Sequence, residues 1–300
     1  MGSIFLASYA KVSEGHRPNM IKLVSPNFKD LLEPNIEIGR FPDGNTHVRI
    51  PNIQECEGQE IMLFHRLYPK QNSSFVELLL LLEALKERKA RVTLVSPFLP
   101  YARHEKPILD GEIASAPITC NLIAAAGCER LITFDCHFLN VVGEAKYGNL
   151  KIQNLSMGDG LIAQARENFG GEDFEIIGLD EGAGYLVKNH GGKFMQKTRK
   201  NYEDGKVDYR PIEGLVCEFD VAGKNVLLID DMISTGSTMI AGIEKVKACG
   251  AKRICVAAVH GLFLFDSPAQ IGKLADCVFS TDTIPSAQAQ VSIKQQIEKL

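Results

Sequence analysis

The residues best suited to chemistry stand together in the last third of the chain. Asp230 and Asp231 follow Val226-Leu-Leu-Ile229, an apolar run that reads as a buried strand ending at the two acids. Ser234-Thr-Gly-Ser-Thr238 then leads into an amphipathic helical stretch, Met239–Ala248. Two carboxylates ahead of a hydroxyl-rich helix start suit a phosphorylated sugar. Backbone N–H groups and hydroxyls would accept the dianion, and the acids would hold sugar hydroxyls or a metal. The order Gly-x-x-x-x-Gly-Lys-Ser/Thr is absent, so this is not a Walker A loop. Taken alone, the acids serve equally to end a strand, and Thr235, Ser237 and Thr238 to cap a helix.

Other reactive side chains also follow apolar runs. Asp135 and His137 come after Leu131–Phe134, Asp180 after Phe174–Leu179, and His260 after Arg253–Val259. In open α/β sheets the carboxyl ends of strands are where ligands bind. His260 reads as a structural histidine at least as readily as a pocket residue. Two charged segments have the composition of functional loops: Tyr101–Pro117, with Arg103 and His104, and Lys193–Arg210, with Lys197 and Arg199. Each also reads as a solvated surface, and the second as a hairpin turned at Asp204-Gly205. A basic loop beside a phosphate cradle would close over phosphoryl groups and exclude water.

The elements that must position these groups alternate. Strands are expected at 59–65, 91–95, 131–134, 174–179, 226–229, 253–259 and 277–280. Helices are expected at 74–89, 118–126, 161–168, 238–248 and 292–300. The rhythm implies an α/β fold with mostly parallel sheets flanked by helices. The 300 residues allow two domains of about 150. We place the join in the polar stretch 148–160, giving domains 1–152 and 153–285. The segment 286–300 is expected to pack back on the first domain.

Composition narrows the class. The chain is 45% hydrophobic and 23% charged with a net charge of −4, which offers nucleic acid no bulk attraction. The apolar run Leu78–Leu82 is far too short for a membrane span. The opening Met1-Gly-Ser-Ile-Phe-Leu-Ala lacks the basic start of a signal peptide. Eight scattered cysteines, none in a C-x-x-C pair, read as reduced thiols of a cytoplasmic protein.

With these residues in place, the chain resembles the ribose-phosphate pyrophosphokinase family, also called phosphoribosyl pyrophosphate synthetases. The 226–238 segment alone indicates only the wider phosphoribosyltransferase group. The narrower resemblance rests on Gly39-Arg-Phe-Pro-Asp-Gly44, Pro100-Tyr-Ala-Arg-His104, Thr133-Phe-Asp-Cys-His137, the Lys197/Arg199 segment and Asp282-Thr-Ile-Pro285. It covers roughly residues 36 to 285.

The resemblance implies two phosphoribosyltransferase-type domains. It also implies transfer of the β,γ-diphosphoryl group of ATP to the 1-hydroxyl of ribose 5-phosphate, with Mg²⁺, in nucleotide biosynthesis. By position, Phe41, Asp43, Asn45, Arg103, His104 and His137 would bind ATP. His137 and Asp180 would hold the metal or its waters. Lys197, Arg199 and Arg103 would be catalytic. Asp230, Asp231, Ser234, Thr235, Gly236, Ser237 and Thr238 would hold ribose 5-phosphate. A homo-oligomer is implied, a dimer at least and up to a hexamer, with Asp43 reaching into a neighbouring subunit's site. No nucleic-acid or membrane partner is implied. Asn45, His104-Glu105 and Ser234 depart from the family's common residues. Two other readings stay open on the residues alone: a phosphoribosyltransferase for another acceptor, and a non-catalytic regulatory homologue.

Overall fold

A computed structural model describes residues 20–139, 141–199, 212–216 and 220–300; for 181, 196–199 and 212–216 it describes the backbone. The chain begins with β1 (Ile21–Val24). It continues through a hairpin, β2 (Glu37–Arg40) and β3 (Thr46–Arg49), to β4 (Glu60–Phe64), α1 (Gln71–Glu87) and β5 (Arg91–Val95). After α2 (Ser115–Ala125) come β6 (Cys128–Phe134), β7 (Gly143–Tyr147) and β8 (Leu150–Leu155). These strands form one sheet in the order β1-β4-β5-β6-β8-β7, parallel except for β7.

The second half repeats the alternation. It runs through α3 (Gly158–Asn168), β9 (Phe174–Gly178), α4 (Gly184–Lys188), β10 (Lys193–Phe194), β11 (Gln196–Arg199) and β12 (Ile212–Val216). Then come β13 (Asn225–Ile233), α5 (Ser237–Ala248), β14 (Arg253–Gly261), α6 (Ser267–Gly272), β15 (Cys277–Thr281), β16 (Ala289–Val291) and α7 (Lys294–Glu298). Its sheet, ordered β10-β9-β13-β14-β15-β16, is parallel throughout.

Alternate strand residues feed three apolar layers, as the two-residue period of a strand requires. One face of the first sheet (Leu23, Leu63, Leu94, Leu131, Ile152) packs under α1 and α2. The outer face of the second (Val226, Leu228, Val256) packs under α5 and α6. The facing surfaces, with Phe64, Ile132 and Phe134 from one sheet and Leu227, Ile229 and Val259 from the other, join through α3 and α4 into one continuous cluster.

Three expectations need correction. The join expected at 152/153 falls inside β8, because 151–155 pairs with β6. The segment 286–300 contributes β16 to the edge of the second sheet, while Ile293 and Ile297 enter the cluster shared by both halves. The strand expected to stop at Ile229 continues to Ile233, since Met232 and Ile233 pair with His260 and Gly261. Asp230 and Asp231 therefore lie within β13 rather than beyond it.

Candidate active site

Strand order makes the site. From β9 the chain moves outward through α4 to β10, then returns on the other side of β9 as β13 and continues through α5 to β14. Connections leave β9 and β13 in opposite directions, so a crevice opens between their carboxyl ends. Asp180 follows β9 and Asp230 and Asp231 occupy β13, which puts all three acids at this switch point.

The two β13 acids differ. Asp230 is partly exposed, and its Oδ1 accepts the Asp231 N–H at 3.0 Å. Asp231 is buried, and its Oδ2 lies 2.6 Å from Nδ1 of His137, which arrives from the first domain just beyond β6. Burial works against a positive charge on His137, but the hydrogen bond and charge of Asp231 outweigh it and hold the ring above its ordinary pKa. Burial likewise opposes ionisation of Asp231, and the His137 contact overcomes it, keeping the carboxyl below its usual range. The result is a histidine–carboxylate pair bridging the domains, in which each partner favours the charged form of the other, with the His137 side chain 39% exposed. Nearby, burial pushes the Asp135 carboxyl up to about 7, although it accepts the Met157 N–H at 2.7 Å.

Past β13 the chain turns through Ser234–Gly236 into α5. Gly236 has φ +81°, and a Cβ there would sit 3.0 Å from Ile271 Cδ1, so both conformation and space require glycine. Among the described residues no carbonyl or side chain accepts the N–H of Thr235, Gly236 or Ser237. Thr235 and Ser237 place their hydroxyls 3.4 Å apart at the same turn. A cluster of free N–H groups and hydroxyls at a helix start is an anion receptor.

The first domain sends its groups on loops. Phe41 sits at the turn of the β2–β3 hairpin, 51% exposed and edge-on to His47 at 5.3 Å. Asp43 holds that turn together, accepting from Asn45 N at 3.0 Å and Asn45 Nδ2 at 2.7 Å. Arg103 is exposed, and its charge acts on His137. His104 is committed to its own loop, with Nδ1 3.2 Å from Ser115 Oγ and Nε2 3.1 Å from Glu112 Oε1. Lys197 and Arg199 lie on β11, which pairs with β12 antiparallel through Lys197↔Leu215 and Arg199↔Ile212. Their side chains, and the expected turn at Asp204-Gly205, lie outside the described residues.

His260 is not at the crevice surface. It is 1% exposed, with Nε2 3.0 Å from Phe134 O and Nδ1 2.9 Å from Thr283 Oγ1. A carbonyl can only accept, so Nε2 carries the proton and Nδ1 accepts from the threonine. Burial lowers its pKa to about 4. This neutral histidine ties the second domain to the first, as the bland sequence reading allowed. No local signal could have revealed the His137–Asp231 pair, whose members are 94 residues apart.

Comparison with known proteins agrees with this architecture. The model of the N-terminal domain of ribose phosphate pyrophosphokinase matches residues 17–127, and that of the phosphoribosyl transferase domain matches residues 149–296. The chain belongs to the ribose-phosphate pyrophosphokinase family. Similar members include the ribose-phosphate pyrophosphokinase of Sulfurisphaera tokodaii, 31% identical over 94% of each chain. That of Methanopyrus kandleri is 30% identical over 86% of this chain and 87% of its own. The phosphoribosylpyrophosphate synthetase of Mycobacterium smegmatis shares the fold, with a TM-score of 0.76 and 24% identity over 94% of this chain and 97% of that one. Both halves are therefore α/β domains of phosphoribosyltransferase type.

The family's Mg²⁺ fits the donors present. Asp180 and Asp230 offer hard carboxylate oxygens, while among the described residues no three His, Cys, Asp or Glu side chains converge into a cage. Magnesium bound by one or two carboxylates, water and substrate phosphates needs no cage.

Proposed function

We infer that this chain is a ribose-phosphate diphosphokinase, transferring the β,γ-diphosphoryl group of ATP to ribose 5-phosphate. The observation that carries the inference is the switch-point crevice, where β13 delivers two acids and then a turn of unpaired N–H groups. In the reaction the sugar 1-hydroxyl oxygen bonds to the β-phosphorus, the bond from that phosphorus to the α,β-bridging oxygen breaks, and AMP leaves. Such transfers depend on positioning and on neutralising charge rather than on a protein nucleophile.

The turn Ser234–Thr238 supports a role in holding the 5-phosphate, and the partly exposed Asp230 a role on a ribose hydroxyl. Asp231 favours the charged form of His137 and fixes its ring, which would face the anionic substrates. Mg²⁺, when bound, spreads the charge of the phosphates. Asp180 would hold it directly, and His137 would act through a metal-bound water or on a phosphate oxygen. Lys197, Arg199 and Arg103 would neutralise the transferring group, with Arg able to make two-pronged contacts. Phe41 would stack on adenine, and Asp43 and Asn45 would shape that contact. His104 would fix the Arg103 loop through Glu112 and Ser115.

The active form is a dimer at least, formed by the first domain. The exposed Phe41, Val76 and Leu80 support this, together with an open cleft of about 360 Å³ lined by Phe41, His47, Val48 and Leu80. Light scattering at micromolar concentration checks it. Free cysteines among the described residues suit a reducing, cytoplasmic setting, and among those residues no helix is long and apolar enough to cross a membrane.

The deciding experiment incubates purified protein with ATP, Mg²⁺ and ribose 5-phosphate and separates the products. AMP and phosphoribosyl pyrophosphate in equal amounts are expected. Folded protein that forms neither product overturns the inference in favour of a regulatory homologue.

A further inference from the structure

The turn that carries the anion-binding N–H groups is held from behind by Leu262–Ser267, the segment leaving β14. Ile233 O accepts the N–H of Leu262 at 3.0 Å and of Phe263 at 3.1 Å. Ser234 O accepts the N–H of Leu264 at 2.9 Å and the hydroxyl of Ser267 at 3.3 Å. Successive carbonyls at the entrance to the turn are thus each held twice by one neighbouring segment.

This has a directional consequence. In a trans peptide the C=O and the N–H that share the amide plane point opposite ways. Drawing Ile233 O and Ser234 O toward Leu262–Ser267 turns the N–H of Ser234 and of Thr235 away from it, toward the crevice side. The same segment closes the space behind the turn, since a Cβ on Gly236 would stand 3.2 Å from Ser267 Cβ.

The segment's own backbone is unusual. Phe263 and Phe265 both adopt left-handed φ, +46° and +55°, on either side of the Leu264 that reaches Ser234 O. Bulky residues rarely take that conformation, and they persist in it where surrounding structure holds them. Gly261 makes the entry possible, because a Cβ there would lie 2.3 Å from Phe263 Cε2. Phe265 is 86% exposed, so packing of its ring does not account for the conformation. Ser267, by contrast, is 1% exposed at the first turn of α6, with its hydroxyl on the Ser234 carbonyl.

We propose that Leu262–Ser267 is a positioning strap for the sugar-phosphate turn, with Ser267 as the positioning residue that orients the Ser234–Thr235 peptide. Ser267 touches no substrate and acts through that peptide. The proposal rests on the reading of Ser234–Thr238 as the ribose 5-phosphate receptor.

The test compares wild type, Ser267→Ala and Ser267→Cys in full-length protein. The KM for ribose 5-phosphate is expected to rise roughly fivefold in Ser267→Ala, the loss of about one hydrogen bond, with kcat and the KM for ATP unchanged. Ser267→Cys, which keeps a weak donor, falls between the two. Calorimetric titration of ribose 5-phosphate alone should show the same order. If ATP and ribose 5-phosphate weaken together, the variant has loosened the whole site and the proposal is wrong. It is also wrong if Ser267→Ala binds the sugar phosphate as wild type does. Wild type that binds no ribose 5-phosphate overturns the receptor reading instead.

Discussion

The two sheets are built from the same alternation, yet among the described parallel strands the second reverses its order and the first does not. In the first, β1, β4, β5, β6 and β8 lie side by side in chain order, and α1 and α2 cover the same face. In the second, order reverses around β9 and β13, sending α4 to the inner face and α5 to the outer. The second sheet can therefore present reactive groups on a strand and the turn beyond it, with backbone precision. The first reaches the crevice with His137, which lies beyond a strand end and meets Asp231, and with the charge of Arg103, which acts on His137; Phe41 sits apart on a hairpin, at its own cleft. Strand order, more than composition, decides which half carries the switch-point acids and the free N–H groups of the turn.

If that division is real, substituting second-half groups that act on the transferring phosphates strikes turnover. Asp231→Asn and Lys197→Ala are each expected to lower kcat by about a hundredfold or more, with the thermal midpoint little changed in Lys197→Ala and lowered in Asp231→Asn, which breaks the buried pair with His137. Single-turnover formation of AMP measures this. A loss of kcat as large in Phe41→Ala would break the comparison.

The sheets share one device, which predicts a common response to acid. His65, just past β4, is buried with Nδ1 2.9 Å from Ser25 Oγ and Nε2 2.9 Å from Ser74 O, and burial lowers its pKa to about 4. His260 is lowered to about 4 by the same cause. Below about 6.5 the unfolded chain takes up these protons and the native state does not, so stability is full above that pH and falls down to about 4. Each histidine accounts for up to about 3 kcal/mol of the loss. Urea melts at pH 7 and pH 5 check the sign; equal stability at the two would remove the device. At pH 7, His260→Ala should cost about 2 kcal/mol, since it leaves the Phe134 carbonyl without its donor. Its KM values should move less than those of the crevice variants.

The smallest effect is expected on the first-domain hairpin. Phe41→Ala should raise the KM for ATP about tenfold, the worth of one base stacked on an aromatic ring, without shifting the melting curve. An unchanged KM would remove Phe41 from the nucleotide site.

Much of this was legible in the residues. The runs behind β4, β5, β9 and β14 are apolar enough to declare buried parallel strands, and of the α1 stripe that spacing predicts, Phe75, Leu78, Leu79, Leu82 and Leu85, three leucines are buried while Phe75 and Leu79 are half-buried against the same core. The turn from β13 into α5 was legible because hydroxyls and glycine mark a helix start. β13 was cut short because adjacent carboxylates read as the end of a strand. They are tolerated inside it because Asp231 finds His137 and Asp230 faces the crevice. The β2–β3 hairpin was missed because its strands are mostly exposed and carry no strong apolar alternation. The strap behind the turn left little sequence signal, since apart from the Ser267 hydroxyl its contacts to the turn are made by main-chain groups.

The apolar layer between the sheets has a consequence for the chain's birth. Phe64, Ile132 and Phe134 share their cluster with residues of α3, α4, β13 and β14, which leave the ribosome later. A nascent first half therefore shows a sticky face for the time needed to translate the second. Chaperone dependence during synthesis, rather than fragility of the finished protein, is where that arrangement should be felt.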